Sequence, residues 1–231
     1  MNTRWPRSLS CVIVTALSSA LLIGCGEEKH GRSCSGHQGK DLSGRTVAGD
    51  ELLQKTLRCV NLEGATLTGF VSEANLRRGN LYKARLTGAS LENVDLRGAD
   101  LRGADLSSAS LSEVDLRDAD LSDAVLGKGL LEDVGFGGAH LADVDLRAAS
   151  LTHVDLTEAD LSGADLSGAT LSDSDLRGAR IRDADLSTTS WENVVCPDGS
   201  RSKAGTSCTS HLTRAAGAAG TVRNSAASTP S

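Results

Sequence analysis

From Val71 to Trp191 a large apolar residue stands at every fifth position, twenty-five times in succession. Leucine fills these positions from Leu76 to Leu131, Phe136 follows, leucine resumes from Leu141 to Leu176, and Ile181, Leu186 and Trp191 complete the series. Two residues before each stands a small one, mostly alanine, as in Ala99-Asp100-Leu101-Arg102-Gly103. A helix needs apolar residues at i, i+3, i+4 and i+7, and a half-buried strand needs alternation, so a period of five suits neither. A fixed repeat is the mark of a solenoid, whose units bury their apolar faces only by stacking on neighbours. A slower echo sets the coil. The small position widens to valine at Val94, Val114, Val134, Val154 and Val194, with Ser174 as the exception, and arginine recurs in the same phase at Arg77, Arg97, Arg117 and Arg177. Twenty residues, or four pentads, therefore make one turn of the coil.

Units such as Ala104-Asp105-Leu106-Ser107-Ser108 and Ala164-Asp165-Leu166-Ser167-Gly168 resemble the A(D/N)LXX motif of the pentapeptide-repeat family. The resemblance implies an all-β fold, a right-handed quadrilateral β-helix of about 6–7 coils, with the central leucine and the small residue inward. At about 4.8 Å per coil the array spans roughly 30 Å. Each buried leucine contributes about 1.5–3 kcal/mol, which lets a chain with only 2% aromatic residues hold together. Leu57, Leu62 and Leu67 keep the beat, but Leu67 to Val71 is a step of four, which predicts a bulge or loop near Phe70. Asp50 to Lys55 reads as a short capping helix with Asp50 as N-cap, covering the open edge. Trp191 is the expected lid at the other end.

The N-terminus carries a different signal. Arg4 and Arg7 precede an apolar stretch from Leu9 to Ile23, short for a membrane span and ordered like a secretory leader. Its end, Leu22-Ile23-Gly24-Cys25, resembles the lipobox of bacterial lipoproteins. That resemblance implies cleavage before Cys25, acylation of Cys25, and attachment to a membrane of the cell envelope, with Gly26 favouring the outer membrane. Four cysteines then remain, Cys34, Cys59, Cys196 and Cys208, and an even number in an oxidising compartment suggests disulfides with three possible connectivities. Cys196 with Cys208 and Cys34 with Cys59 are favoured, because each pair flanks one end of the rod. The stretch from Trp191 to Gly199 also resembles a terminal motif that follows other bacterial arrays and is trailed by a second cysteine. His30, Cys34 and His37 match no standard zinc spacing, and neither a metal nor a cofactor is expected. The expected organisation is a leader over 1–24, a flexible tether over 25–47, a cap over 48–59, a solenoid over 60–195, a disulfide-closed cap over 196–208 and a disordered tail over 209–231.

The solenoid region from Val60 to Val195 holds 24 acidic and 12 basic residues, a net of −12, against −6 for the whole chain. Aspartate precedes the central leucine on three of the four sides. One has Asp95, Asp115, Asp155 and Asp175; the next Asp100, Asp120 and Asp160; the third Asp105, Asp145, Asp165 and Asp185. The fourth side has Ser90, Ser110, Ser150, Thr170 and Ser190 instead. Stacked aspartates repel by roughly 1 kcal/mol per pair in water, and Arg97, Arg117 and Arg177 should run as a basic column beside Asp95, Asp115, Asp155 and Asp175. These residues form one candidate interaction surface. Val125 and Leu130 form another, since they replace polar outward residues among Gly127, Gly129, Gly135, Gly137 and Gly138, although a decayed or bulged coil is the favoured expectation there. Carboxylates on a convex rod lack the converging groups and dry pocket of a catalytic centre, and His140 and His153 are isolated. The residues thus point to a non-enzymatic rod that is anchored by lipid and acts as scaffold or structural protein. Its partner would be an envelope protein or a cell-wall polymer rather than nucleic acid, with self-association left open. The alternative comes from the resemblance, since some family members are acidic rods that mimic DNA and protect type II topoisomerases; an exported location opposes it.

Overall fold

The computed structural model describes Cys34, residues 39–202 and Cys208. The expected leader, Cys25, His30, His37 and the stretch 209–231 lie outside these residues. Among the described residues no helix is long and apolar enough to cross a membrane.

The pentad leaves room for three extended residues before the chain must turn, and the strands are three residues long. β1 (Thr46–Ala48) pairs with β2 (Thr66–Thr68). β3 (Phe70–Ser72), β4 (Ser90–Glu92), β5 (Ser110–Ser112), β6 (Leu130–Glu132), β7 (Ser150–Thr152), β8 (Thr170–Ser172) and β9 (Ser190–Glu192) form a seven-stranded parallel sheet in chain order. The register advances by one coil per strand, Ser90 to Ser110 to Leu130 to Ser150. The other three sides contribute single bridges in the same register, such as Asp95 with Asp115 and Asp100 with Asp120. The result is a parallel β-solenoid of about seven turns, with one seven-stranded sheet face, called here the strand face, and three ladder faces, one of which begins as the β1–β2 pair.

Corners are made by a residue in the left-handed region. In Leu121-Ser122-Asp123-Ala124, Asp123 has φ 60° and the Ala124 N–H donates to the Leu121 carbonyl at 3.0 Å. Aspartate and asparagine tolerate this conformation better than most side chains, which accounts for their frequency there. Inside, the central leucines form four stacks and the alanines fill the gaps beside them; Leu96, Leu116 and Leu156 are fully shielded, and Phe136 replaces leucine in the same stack at 1% exposure. At Ser174 the hydroxyl takes over from apolar contact: it accepts the Val154 N–H at 3.1 Å and donates to the Ser172 carbonyl at 2.9 Å.

Four sequence expectations change. The missing residue near Phe70 makes no loop. Pairing across it drops from twenty residues to nineteen, as in Thr56 with Asn75, Asn61 with Asn80 and Thr66 with Arg85. The residue lost is the small one, and Gly69, at φ 79°, turns the chain alone between β2 and β3. The glycine-rich coil is not distorted either, since Asp105, Val125 and Asp145, and Asp115, Gly135 and Asp155, stay in register. Its irregular residues fall on outward positions and corners, where the coil asks little of a side chain. The expected capping helix is a single 3-10 turn, Gly49–Glu51, whose N-cap is Ala48, with Glu51 accepting the Ala48 N–H at 3.2 Å. It lies against β3 so closely that a Cβ on Gly49 would stand 2.1 Å from the Phe70 carbonyl oxygen. Finally, the coil begins before residue 60. Asp41 bridges Asn61, the Asn61 N–H donates to the Lys40 carbonyl at 2.9 Å, and Leu42, Val47 and Leu52 are buried at 1% exposure.

Both ends are tied. Cys34 is bonded to Cys59 with a Cα–Cα distance of 5.7 Å, and Cys196 to Cys208 with 5.4 Å. Past β9 the chain folds back so that Val195 bridges Arg201 in antiparallel sense, and the Ser202 N–H donates to the Val194 carbonyl at 2.8 Å. This hairpin occupies the position of a further coil and pairs the edge it covers.

Candidate interaction surface

The aspartates of the ladder faces are not free rows of charge. Each points its Oδ1 at the backbone N–H two residues on, closing a local turn. The side chain of that second residue then decides the chemistry. Where it is arginine, the guanidinium forks onto the same carboxylate. Arg97 Nε donates to Asp95 Oδ1 at 2.9 Å and its Nη2 to Oδ2 at 2.5 Å, Arg117 holds Asp115 at 2.8 and 2.5 Å, and Arg177 lies 2.6 Å from Asp175. Arg102 with Asp100 and Arg147 with Asp145 repeat the arrangement. Where the second residue is Ser or Thr, its hydroxyl donates instead, as from Thr157 to Asp155 at 2.7 Å and Ser162 to Asp160 at 2.6 Å.

Several arginines also reach the next coil. Arg97 Nε lies 3.3 Å from Asp115 Oδ2, Arg102 lies 3.8 Å from Asp120, and Arg147 lies 3.7 Å from Asp165. The expected basic column beside Asp95, Asp115, Asp155 and Asp175 is therefore a set of clamps on the carboxylates themselves. Exposed pairs of this kind add little stability each, but they cancel the repulsion that stacking would otherwise impose.

The clamps mark the titration of the carboxyls. Asp100 and Asp145 are held below the ordinary value by hydrogen bonds from the arginine side chains at 102 and 147, and Asp160 by the hydroxyl of Ser162. Burial pushes Asp115 up, yet the hydrogen bonds from Arg117 outweigh it and its carboxyl is also lowered. A carboxyl whose folded pKa lies below its unfolded one contributes stability that is present above the unfolded value and is lost as pH falls through the folded value. Melting temperature should thus hold steady down to the ordinary carboxylate value of 3.8 and then fall with further acid. Thermal melts of the protein and of an Asp100→Asn/Asp145→Asn variant test this: the variant should lose less of its stability over the same acid range.

Of the second candidate patch, Val125 is half-buried between Asp105 and Asp145 on a ladder face, while Leu130 stands 60% exposed on β6, the middle strand of the sheet. The two lie on different faces and make no common apolar patch. The hydroxyl-rich fourth side of the sequence columns is this strand face, but the columns missed the carboxylates that it carries. There β4, β6 and β9 present Glu92, Glu132 and Glu192, and the corner after β3, β5, β6 and β8 presents Glu73, Glu113, Asp133 and Asp173. Neither these strands nor that corner carries a lysine or arginine; His153 lies 3.7 Å from Asp133.

The description "Pentapeptide repeats" matches the chain in eight copies, over residues 57–103, 89–127, 131–168 and 155–190. No curated protein matches it. Among solved structures it is similar to HetL, a pentapeptide repeat protein involved in heterocyst differentiation regulation from the cyanobacterium Nostoc sp. strain PCC 7120. That alignment has 28% identity, covers 70% of this chain and 89% of that one, and has a TM-score of 0.29. Full-length QnrB1, a plasmid-mediated fluoroquinolone resistance protein, aligns at 18% identity over 78% of this chain and 98% of that one, with a TM-score of 0.35. Rfr23 from the cyanobacterium Cyanothece 51142 aligns at 22% over 60% and 89%, with a TM-score of 0.27. With more than half its length matched, this chain belongs to the pentapeptide-repeat family.

Proposed function

We propose that this protein is a non-enzymatic, lipid-anchored interaction scaffold of a bacterial cell envelope, held to the outer membrane through Cys25 and presenting the solenoid to an envelope partner. The observation that carries the binding role is the division of the surface. On three faces the stacked aspartates that precede the central residues are occupied by their own turns and by arginines or hydroxyls, as at Asp95, Asp100 and Asp145, whereas the strand face keeps unpaired glutamates beside exposed apolar residues. Such a rod has a side to offer a partner. Its charged groups stand outward on convex faces, an arrangement that supports display rather than catalysis. Anchoring is supported by Leu22-Ile23-Gly24-Cys25 behind a short apolar leader. Mimicry of DNA is the weaker reading, because arginines interleave the aspartate columns and cancel the phosphate-like charge it would need.

Metabolic labelling with a palmitate analogue in the native envelope tests the anchor. The wild-type chain should take up label, and Cys25→Ala should lose it entirely and leave the membrane fraction. A labelled Cys25→Ala chain, or an unlabelled wild type, sinks the anchoring.

A further inference from the structure

The strand face gathers features that the other faces do not. All three large apolar side chains that stand exposed among the described residues belong to it: Phe70 at 49%, Leu130 at 60%, and Leu53 at 43% in the turn after the 3-10 helix. The close approach of Gly49 to Phe70, and the Gln54 N–H donating to the Ser72 carbonyl at 3.1 Å, place that turn beneath β3 on the same side of the coil. Between and around these residues the outward positions are small, Ser90, Ser110, Ser150 and Thr170, so the apolar side chains stand above a low, hydroxylated sheet. Glu92, Glu113, Glu132 and Glu192 have no side-chain partner among the described residues, unlike the clamped aspartates of the ladder faces. Lys128, at the far corner before β6, is the nearest cation in sequence to this sheet.

The geometry points to this face as the docking site for a basic, extended polypeptide segment of a partner protein, laid along the rod axis across the strands. This deepens the scaffold reading and rests on its binding role, not on the anchor. Phe70 and Leu130 are three strand spacings apart, about 14 Å at ~4.8 Å per strand. An extended chain covers that in about four residues at ~3.3 Å each, an even number that turns both of its apolar side chains to the sheet. The residue midway between them also faces the sheet, where Glu92 and the neighbouring Glu113 favour lysine or arginine. Contact is by side chains, because the backbone of the inner strands is already paired on both edges. A second copy of the same face fits poorly, since it would set carboxylate against carboxylate, and nucleic acid is opposed by the same charge.

The test uses the full-length chain in detergent and a fluorescent synthetic peptide of about a dozen residues, lysine-rich with two leucines four apart, in ~0.15 M salt so that distant charges are screened. Anisotropy should show saturable binding. Phe70→Ser and Leu130→Ser should each weaken it about tenfold, as expected of central apolar contacts. Glu92→Gln/Glu132→Gln/Glu192→Gln should weaken it as much and flatten its salt dependence. Asp123→Asn/Asp143→Asn/Asp183→Asn, which removes equal charge from another corner, should change it less than about threefold. Absence of peptide binding, equal losses from the two triple variants, or indifference to Leu130→Ser overturns the assignment. So does sedimentation showing that the chain dimerises through Leu130. If photo-crosslinking in the envelope captures a partner from position 147 and none from position 130, this face is overturned while the scaffold reading stands.

Discussion

Replacing Leu116 with alanine should lower the unfolding free energy by about 2–5 kcal/mol. Leu116 has no exposed surface and sits mid-rod in the stack of Leu96, Phe136 and Leu156. The cost should lie toward the upper part of that range, because the cavity cannot collapse. The backbone above and below is held at fixed spacing by the Leu96 N–H donating to the Asp115 carbonyl at 2.8 Å and the Leu116 N–H to the Gly135 carbonyl at 2.7 Å. For a chain of this length the loss should appear as roughly 2–4 °C of melting temperature per kcal/mol. Leu130→Ala, by contrast, removes a side chain already in water and should change stability by less than about 0.5 kcal/mol. Urea unfolding of the two variants decides the matter, and equal midpoints would contradict the layered core.

The second large effect belongs to the C-terminal cap. Removing the Cys196–Cys208 bond through a double Cys→Ala variant, which leaves Cys34–Cys59 intact, should cost about 3 kcal/mol if the loss is that of closing a short loop in the unfolded chain. The two cysteines are 12 residues apart and both are wholly buried. The loss should also be local. In a solenoid each coil leans on its neighbours, so freeing the last one exposes the next. Ile181 and Trp191, at 7% and 6% exposure, are already the least shielded central residues of the last coils. Amide exchange should therefore rise first in β9 and β8 while β4 to β6 stay protected. A melt of the double variant that matches the wild type would show that the hairpin holds the end without the bond, and uniform exchange would contradict the local loss.

The interior was legible in the sequence because its cause is local. A pentad with a large apolar residue, a small one two places before it and a left-handed corner closes one side of a square whatever its neighbours are. The step of four at Leu67 to Val71 likewise marked the place where pairing changes from twenty to nineteen residues. The start of the coil was harder to see. Leu42, Val47, Leu52 and Leu57 keep the same five-residue step, but segments such as Arg45-Thr46-Val47-Ala48-Gly49 lack the alanine-aspartate pair that announces the motif. The step alone would have found it.

The surface was legible only as columns of residue types. Asp95 and Arg97 are visible in the sequence as neighbours two apart, yet nothing local says whether the arginine extends into water or folds back onto the carboxylate. The turn that aims both side chains outward at one spot makes that choice, and it converts an acidic column into a neutral one. Leu53 joins Phe70 and Leu130 only after the nineteen-residue pairing is allowed for, because the fixed twenty-residue phase places it one position away. The five-residue beat by itself determined the coil, its repeat and its core, since these follow from sterics within one pentad. Which charges remain for a partner was decided by the stacked coils, because it depends on distances between side chains that only the stack brings together.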